Sequence, residues 1–127
     1  MELSTKLYIL DDDGNKFMGA GVLWLLEGIR ETGSLLAASE RMGLSYSKAR
    51  SMLEHIEQAT GHSMIDRRKG GADRKGAVLT PYAERYILLY RKFQEDAKND
   101  AERRFREFLN NLDTLEADYG RQDDTTV

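Results

Sequence analysis

Cysteine is absent from the chain. That removes disulfides, zinc fingers and thiol catalysis, and it suits the cytoplasm. Proline occurs once, at Pro81, and tryptophan once, at Trp24. The two histidines, His55 and His62, stand seven residues apart with the helix-ending Gly61 between them. A shared metal site is therefore not expected, and His55, beside Glu54 and Glu57, reads as part of a solvated helix face. No apolar run approaches the roughly 20 residues that a bilayer span requires. The opening MELSTKLYIL lacks a basic stretch followed by an apolar core and a small-residue cleavage site. A cytoplasmic location without a membrane partner is the expectation. No Ser-His-Asp grouping, carboxylate pair or cofactor fingerprint stands out, so no catalytic residue, metal or cofactor is assigned and an enzyme is not expected.

What is present is charge, unevenly spread. The chain has 127 residues, 32% charged and 40% hydrophobic, enough for one folded domain with a modest core and an added helix. The net charge of -3 argues at first against a nucleic-acid partner. Its distribution argues the other way. Residues 45–82 hold seven basic residues (Lys48, Arg50, Arg67, Arg68, Lys69, Arg74, Lys75) against four acidic ones, a balance of +3. Residues 1–44 and 83–127 each carry -3. An acidic whole with a basic face is compatible with specific DNA binding and discourages indiscriminate adhesion.

The stretch Gly33 to Arg67, GSLLAASERMGLSYSKARSMLEHIEQATGHSMIDR, organises the rest. Ser34 is an N-cap for a short helix over 35–42, which Gly43 ends. Leu44 plugs the turn. Ser45 caps a second helix from Tyr46 to about Thr60, and Gly61 stops it. Two short helices joined by a tight Gly-containing turn predict a helix-turn-helix, with Ala37 and Ala38 small enough for close helix approach. Ala49, Met52, Leu53 and Ile56 form the buried face of the second helix. Tyr46, Ser47, Lys48, Arg50 and Ser51 fall mostly off that face, where hydroxyls and basic groups can meet base edges and phosphates.

The flanks fit this frame. Leu3 to Leu10 alternates like a strand, Asp11-Asp12-Asp13-Gly14-Asn15 turns, and Lys16-Phe17-Met18 returns as a hairpin. The acidic triplet lacks the ligand spacing and the twelfth-position glutamate of a calcium loop. A first helix from about Ala20 to Glu31 carries the apolar Val22, Leu23, Leu25, Leu26 and Ile29, with Trp24 expected to pack on the core; a wing or dimer seam is its alternative place. After Gly61, Met64-Ile65 and Ala77-Val78-Leu79-Thr80 read as short strands around a basic, glycine-rich loop over 66–77. That is a wing, which would lay Arg67, Arg68, Lys69, Arg74 and Lys75 along the phosphate backbone or in the minor groove. Gly71 to Gly76 has the first spacing of a phosphate-binding loop, but Ala77-Val78 follows in place of Lys-Ser/Thr. Thr80-Pro81 starts a helix to about Asp118, of roughly 36 residues and about 54 Å. Tyr82, Tyr86, Leu89, Phe93, Ala97, Ala101, Phe105, Phe108, Leu112 and Leu115 recur along it at three and four. It is too long to bury itself on so small a domain and is expected to pair with a second copy. A kink near the polar stretch Lys98 to Arg104 is an open alternative, and Gly120 to Val127 reads as a disordered tail.

The expected fold is α+β and mainly α: a winged helix-turn-helix with an N-terminal β-hairpin over residues 1–80, a long dimerisation helix over 81–118, and a tail over 119–127. Carried by Glu31-Thr32-Gly33-Ser34, Ala37-Ala38, Met42-Gly43-Leu44-Ser45-Tyr46, Ala49 and Gly70-Gly71…Gly76-Ala77-Val78-Leu79-Thr80 with Tyr82, the stretch over about 3–95 resembles the N-terminal DNA-binding domain of the ModE family. These are bacterial molybdate-responsive transcription regulators. More distantly it is similar to the winged helix-turn-helix of LysR-type regulators. The resemblance implies a dimer on a palindromic operator in double-stranded DNA, with Ser45, Tyr46, Ser47, Lys48 and Arg50 matching the start of the recognition helix and Lys69, Arg74 and Lys75 the wing. Ser34, Ser51, Arg67 and Arg68 complete the expected DNA-binding set. Tyr82, Tyr86, Leu89, Phe93, Phe105, Phe108 and Leu112 form the expected dimer interface. Molybdate-sensing members carry C-terminal oxyanion-binding domains; none follows the long helix in these 127 residues, so molybdate binding by this chain is not expected. The alternative is a winged helix that binds protein and not DNA.

Overall fold

A computed structural model describes residues 1–66 and 76–120. The element order is β1 (Ile9–Leu10), β2 (Lys16–Met18), α1 (Ala20–Thr32), α2 (Leu35–Arg41), α3 (Tyr46–Thr60) and α4 (Pro81–Tyr119). The chain divides into a compact unit of Lys6–Arg91 and a second unit of Met1–Thr5 with the chain from Lys92.

In the larger unit, α1, α2 and α3 bury one another's apolar faces. Leu23, Leu25, Leu26 and Ile29 of α1 meet Leu35 and Ala38 of α2 and Ala49, Leu53 and Ile56 of α3 in a single core cluster. The first turns of α4 close it with Ala83, Ile87 and Tyr90. Burying these aliphatic side chains contributes about 1.5–3 kcal/mol each for the larger ones, so the core and not helix propensity holds these short elements in place.

Side chains on the backbone termini set the helix boundaries. Ser34 Oγ accepts from Ala37 N at 3.1 Å, and Ser45 Oγ accepts from Lys48 N at 3.1 Å. Between them the chain reverses through Gly43, whose φ of 69° is a left-handed conformation that a Cβ would strain. The Leu44 N–H then donates back to Ser39 O at 2.9 Å, locking the turn to α2. Thr80 Oγ1 starts α4 by accepting from Ala83 N at 3.1 Å while donating to Ser63 O at 2.8 Å. The close approach that small residues permit is made at Ala38 against α1: a Cβ built on Gly28 would stand 3.2 Å from that of Ala38.

Several sequence expectations change. The strand expected over Leu3 to Leu10 contracts to Ile9–Leu10, because the return strand Lys16–Met18 offers only three residues to pair with; a register shift between Ile9 and Leu10 shortens the ladder further. Among the described residues the two wing strands reduce to one bridge, Ile65 opposite Leu79, framed by Asp66 N donating to Val78 O at 2.7 Å and Thr80 N to Met64 O at 2.9 Å. Trp24, expected in the core, is 60% exposed. It shares a helix row with Glu27, Gly28 and Glu31; Gly28 is buried and Glu27 is mostly covered and paired with Arg91, while Trp24 and Glu31 stand in water.

The smaller unit is built on the later part of α4. Lys98 to Arg104 lies within the one helix Pro81–Tyr119, where Asp100 receives Arg103 and Arg104 in i+3 and i+4 pairs. Met1, Glu2 and Leu3 line a recess of about 390 Å³ with Glu102, Phe105, Arg106 and Leu109. The rings of Phe105 and Phe108 stack with centroids 6.2 Å apart. Phe108, Leu115 and Tyr119 are exposed. Among the described residues no helix is long and apolar enough to cross a membrane.

Candidate nucleic-acid interface

The N-terminal turns of α3 present a polar face because the helix has only one apolar side. Ala49, Leu53 and Ile56 turn inward, so Ser47, Lys48, Arg50 and Ser51 turn outward and are exposed. Ser45 is also exposed, but its oxygen is engaged as the helix cap. Tyr46 is intermediate: its ring packs against the core while its hydroxyl accepts from Arg50 Nη1 at 3.4 Å. Arg50 Nε donates to Glu54 Oε1 at 3.1 Å. Three side chains at i, i+4 and i+8 thus form one row along the exposed side of the helix.

Ser34 departs from the expected DNA-contacting set. It is 5% exposed, and its oxygen caps α2. The Thr32 hydroxyl donates to its carbonyl at 3.0 Å, so the residue stands inside the corner between α1 and α2. Arg67, Arg68, Lys69, Arg74 and Lys75 lie outside the described residues, as does the tail from Arg121. What the fold settles is where that segment departs and returns: Asp66 and Val78 are hydrogen-bonded, and Ala77 N donates to Gly33 O at 2.9 Å, just ahead of α2.

Of the expected interface residues on α4, Leu89, Phe93 and Phe108 are exposed, and Phe105 and Leu112 are partly covered. Tyr82 and Tyr86 are different, because both pack against the core of their own unit. Burial, with Tyr82 and Tyr90 nearby, pushes the Tyr86 hydroxyl up to about 12. His62 lies flat on Tyr82, ring centroids 4.0 Å apart and planes 12° from parallel.

Two contacts of α3 went unread in the sequence. Glu57 Oε2 accepts from Met64 N at 2.8 Å, fixing the chain as it leaves the helix. His55 is not on a freely solvated face, since its Nε2 lies 3.1 Å from Asp11 Oδ2 in the β1–β2 turn. No spacing rule could have paired residues 44 apart in sequence. The backbone N–H of Asn15, then the His55 side chain and the backbone N–H of Asp13, hold the Asp11 carboxyl below its ordinary value of 3.8. A carboxylate depressed in the folded state stabilises it above the unfolded value, and that contribution is lost as pH falls through the lower folded value. Asp11→Asn should therefore lower stability at neutral pH, with the gap to wild type closing below about pH 3.8. Urea midpoints at pH 6 and pH 3 measure the gap; one that persists unchanged at pH 3 would remove the charge from the explanation.

No family model matches the chain. Over 66 residues it is 36% identical to the DNA-binding transcriptional dual regulator ModE of Escherichia coli (strain K12), covering 52% of this chain and 25% of that protein. This stretch is ModE-like. The chain is also 37% identical over 73 residues to the molybdenum-pterin-binding protein MopB of Rhodobacter capsulatus, covering 58% of this chain and 27% of the relative. It spans about a quarter of the length of the ModE and MopB proteins it matches. Among solved structures, the DNA-binding domain of CbnR, a LysR family transcriptional regulator, in complex with DNA superposes with a TM-score of 0.56 at 20% identity. That match covers 71% of this chain and 98% of the domain. The chain thus shares its fold with the CbnR domain, and its sequence likeness is to ModE.

Proposed function

We propose that the chain is a sequence-specific DNA-binding transcription regulator, not an enzyme, acting in the cytoplasm. One observation carries the reading: a doubly capped helix-turn-helix with ModE-like sequence exposes Ser47, Lys48, Arg50 and Ser51 together at the start of α3. A helix end of this kind fits the major groove, where hydroxyl and guanidinium groups discriminate base edges. Tyr46 belongs to this set through its hydroxyl. The basic residues Arg67, Arg68, Lys69, Arg74 and Lys75 contact phosphate and set affinity, not sequence. The exposed Leu89, Phe93 and Phe108 of α4 pair with a second copy, so that two α3 helices read the halves of an inverted repeat about 34 Å apart.

Selection from a random double-stranded DNA library, followed by titration of a winning sequence at two salt concentrations, tests this. An inverted repeat bound with steep salt dependence is the expected result. Failure to bind any DNA at low salt would sink the reading and leave a protein-docking winged helix.

A further inference from the structure

The row Tyr46–Arg50–Glu54 includes one member that has no obvious place on a DNA-facing helix. Glu54 is exposed and anionic, and it would stand near phosphates. Charge alone makes it a liability for binding, since a carboxylate repels every DNA sequence equally. Its geometry gives it another use. Glu54 Oε1 accepts a hydrogen bond from Arg50 Nε at 3.1 Å, and Tyr46 Oη accepts one from Nη1 at 3.4 Å. The guanidinium is a rigid plane with its N–H groups in a fixed fork, so a bond at Nε orients the whole plane.

We infer that Glu54 is a positioning residue for base reading: it holds the Arg50 guanidinium in the orientation that reads a guanine edge, trading affinity for all DNA against discrimination between sequences. The inference rests on the DNA-binding reading above. In the free protein the pair is half-exposed, with side-chain exposures of 52% and 57%, and water screens it. Inside the groove water is displaced and the same contact strengthens, because the effective dielectric falls. Arginine reads guanine through two parallel bonds to O6 and N7, which tolerate little rotation of the plane. Without the bond at Nε the plane is held less firmly, and phosphate, which rewards any sequence, competes better for it. Glu54 thus opposes the sequence-blind use of Arg50 twice, by orienting it and by repelling phosphate.

The test compares wild type, Glu54→Gln, Glu54→Ala, Arg50→Ala and the Arg50→Ala/Glu54→Ala double variant. Each is titrated on the selected operator, on that operator with single G·C pairs replaced, and on scrambled DNA, with helicity checked by circular dichroism. Glu54→Ala should bind scrambled DNA more tightly while its operator-to-scrambled ratio falls by about tenfold. The lost discrimination should map to one G·C pair in each half-site, the same pair at which Arg50→Ala loses it. Glu54→Gln also relieves the repulsion, but its amide oxygen still accepts from Nε and should keep most of the ratio. In the double variant, removing Glu54 should change the ratio no further than Arg50→Ala alone. If Glu54→Ala moves operator and scrambled binding by one common factor, Glu54 is only a repulsive charge and the inference falls while the regulator reading stands. If wild type itself shows no sequence preference, both fall together.

Discussion

Replacing Arg67, Arg68, Lys69, Arg74 and Lys75 together with glutamine should lower the slope of log affinity against log salt by about 4 to 5 per protomer. Each lysine or arginine that neutralises a phosphate releases a condensed counterion, worth roughly 0.9 of a slope unit on duplex DNA. Between 50 and 200 mM salt this corresponds to about a 500-fold weaker salt response per protomer. Binding to operator and scrambled DNA should weaken by similar factors, because phosphate contacts carry no sequence information. Among the described residues the core cluster is built from other side chains, and the flanking bonds Asp66 N to Val78 O and Ala77 N to Gly33 O are made by backbone, so the substitutions should leave the helix-turn-helix core intact. Fluorescence-anisotropy titrations at four salt concentrations give the slope. An unchanged slope would take these residues off the DNA. A changed base preference at constant slope would make the wing a reader and reverse the roles assigned to wing and α3.

Leu53→Ala should lower the stability of the larger unit by about 2–5 kcal/mol. Leu53 is 1% exposed and sits midway along α3, in the cluster that joins it to α1 and α2. The loss combines the transfer energy of the removed carbons with the cavity left behind, and helix backbones on both sides limit how far the site can collapse. For a domain of this size that is a large share of the total, so the thermal midpoint should fall by roughly 10 °C or more. DNA binding should fail in parallel with folding: below the new midpoint, affinity should return to within a few-fold of wild type, since Leu53 faces away from the groove. Chemical denaturation read by circular dichroism, with binding measured at 10 °C and 37 °C, separates the two effects. A loss below 1 kcal/mol would mean that α3 is not seated on this cluster.

Leu53 and Arg50 show how α3 divides its surface between folding and binding. Leu53 lies on the inward face of α3, where contact with α1 and α2 decides whether the helix exists at all. Arg50 lies about one turn away on the exposed face, where it donates to Tyr46 and Glu54. A helix of 15 residues can serve both ends because its two faces do not share side chains.

What could be read from sequence was what neighbouring residues decide among themselves. Ser34 and Ser45 as caps, Gly43 as the left-handed turn, Thr80-Pro81 as a helix start and Ala49, Leu53 and Ile56 as a buried stripe are all interactions within about four residues. Their energies depend on local dihedrals and spacing, so α3 emerges with the expected bounds, Tyr46–Thr60. Even the Arg50–Glu54 pair carried its signal in an i, i+4 spacing. The tertiary structure alone decided where individual residues depart from such patterns. Trp24 stands outward, and Ser34 turned inward where α1 and α2 meet. Tyr82 and Tyr86 joined their own core. The strand expected from Leu3 shrank for want of a partner, and His55 met Asp11 across 44 residues of chain. Burial and partnering depend on what the rest of the chain places opposite a residue, and no local pattern holds that information.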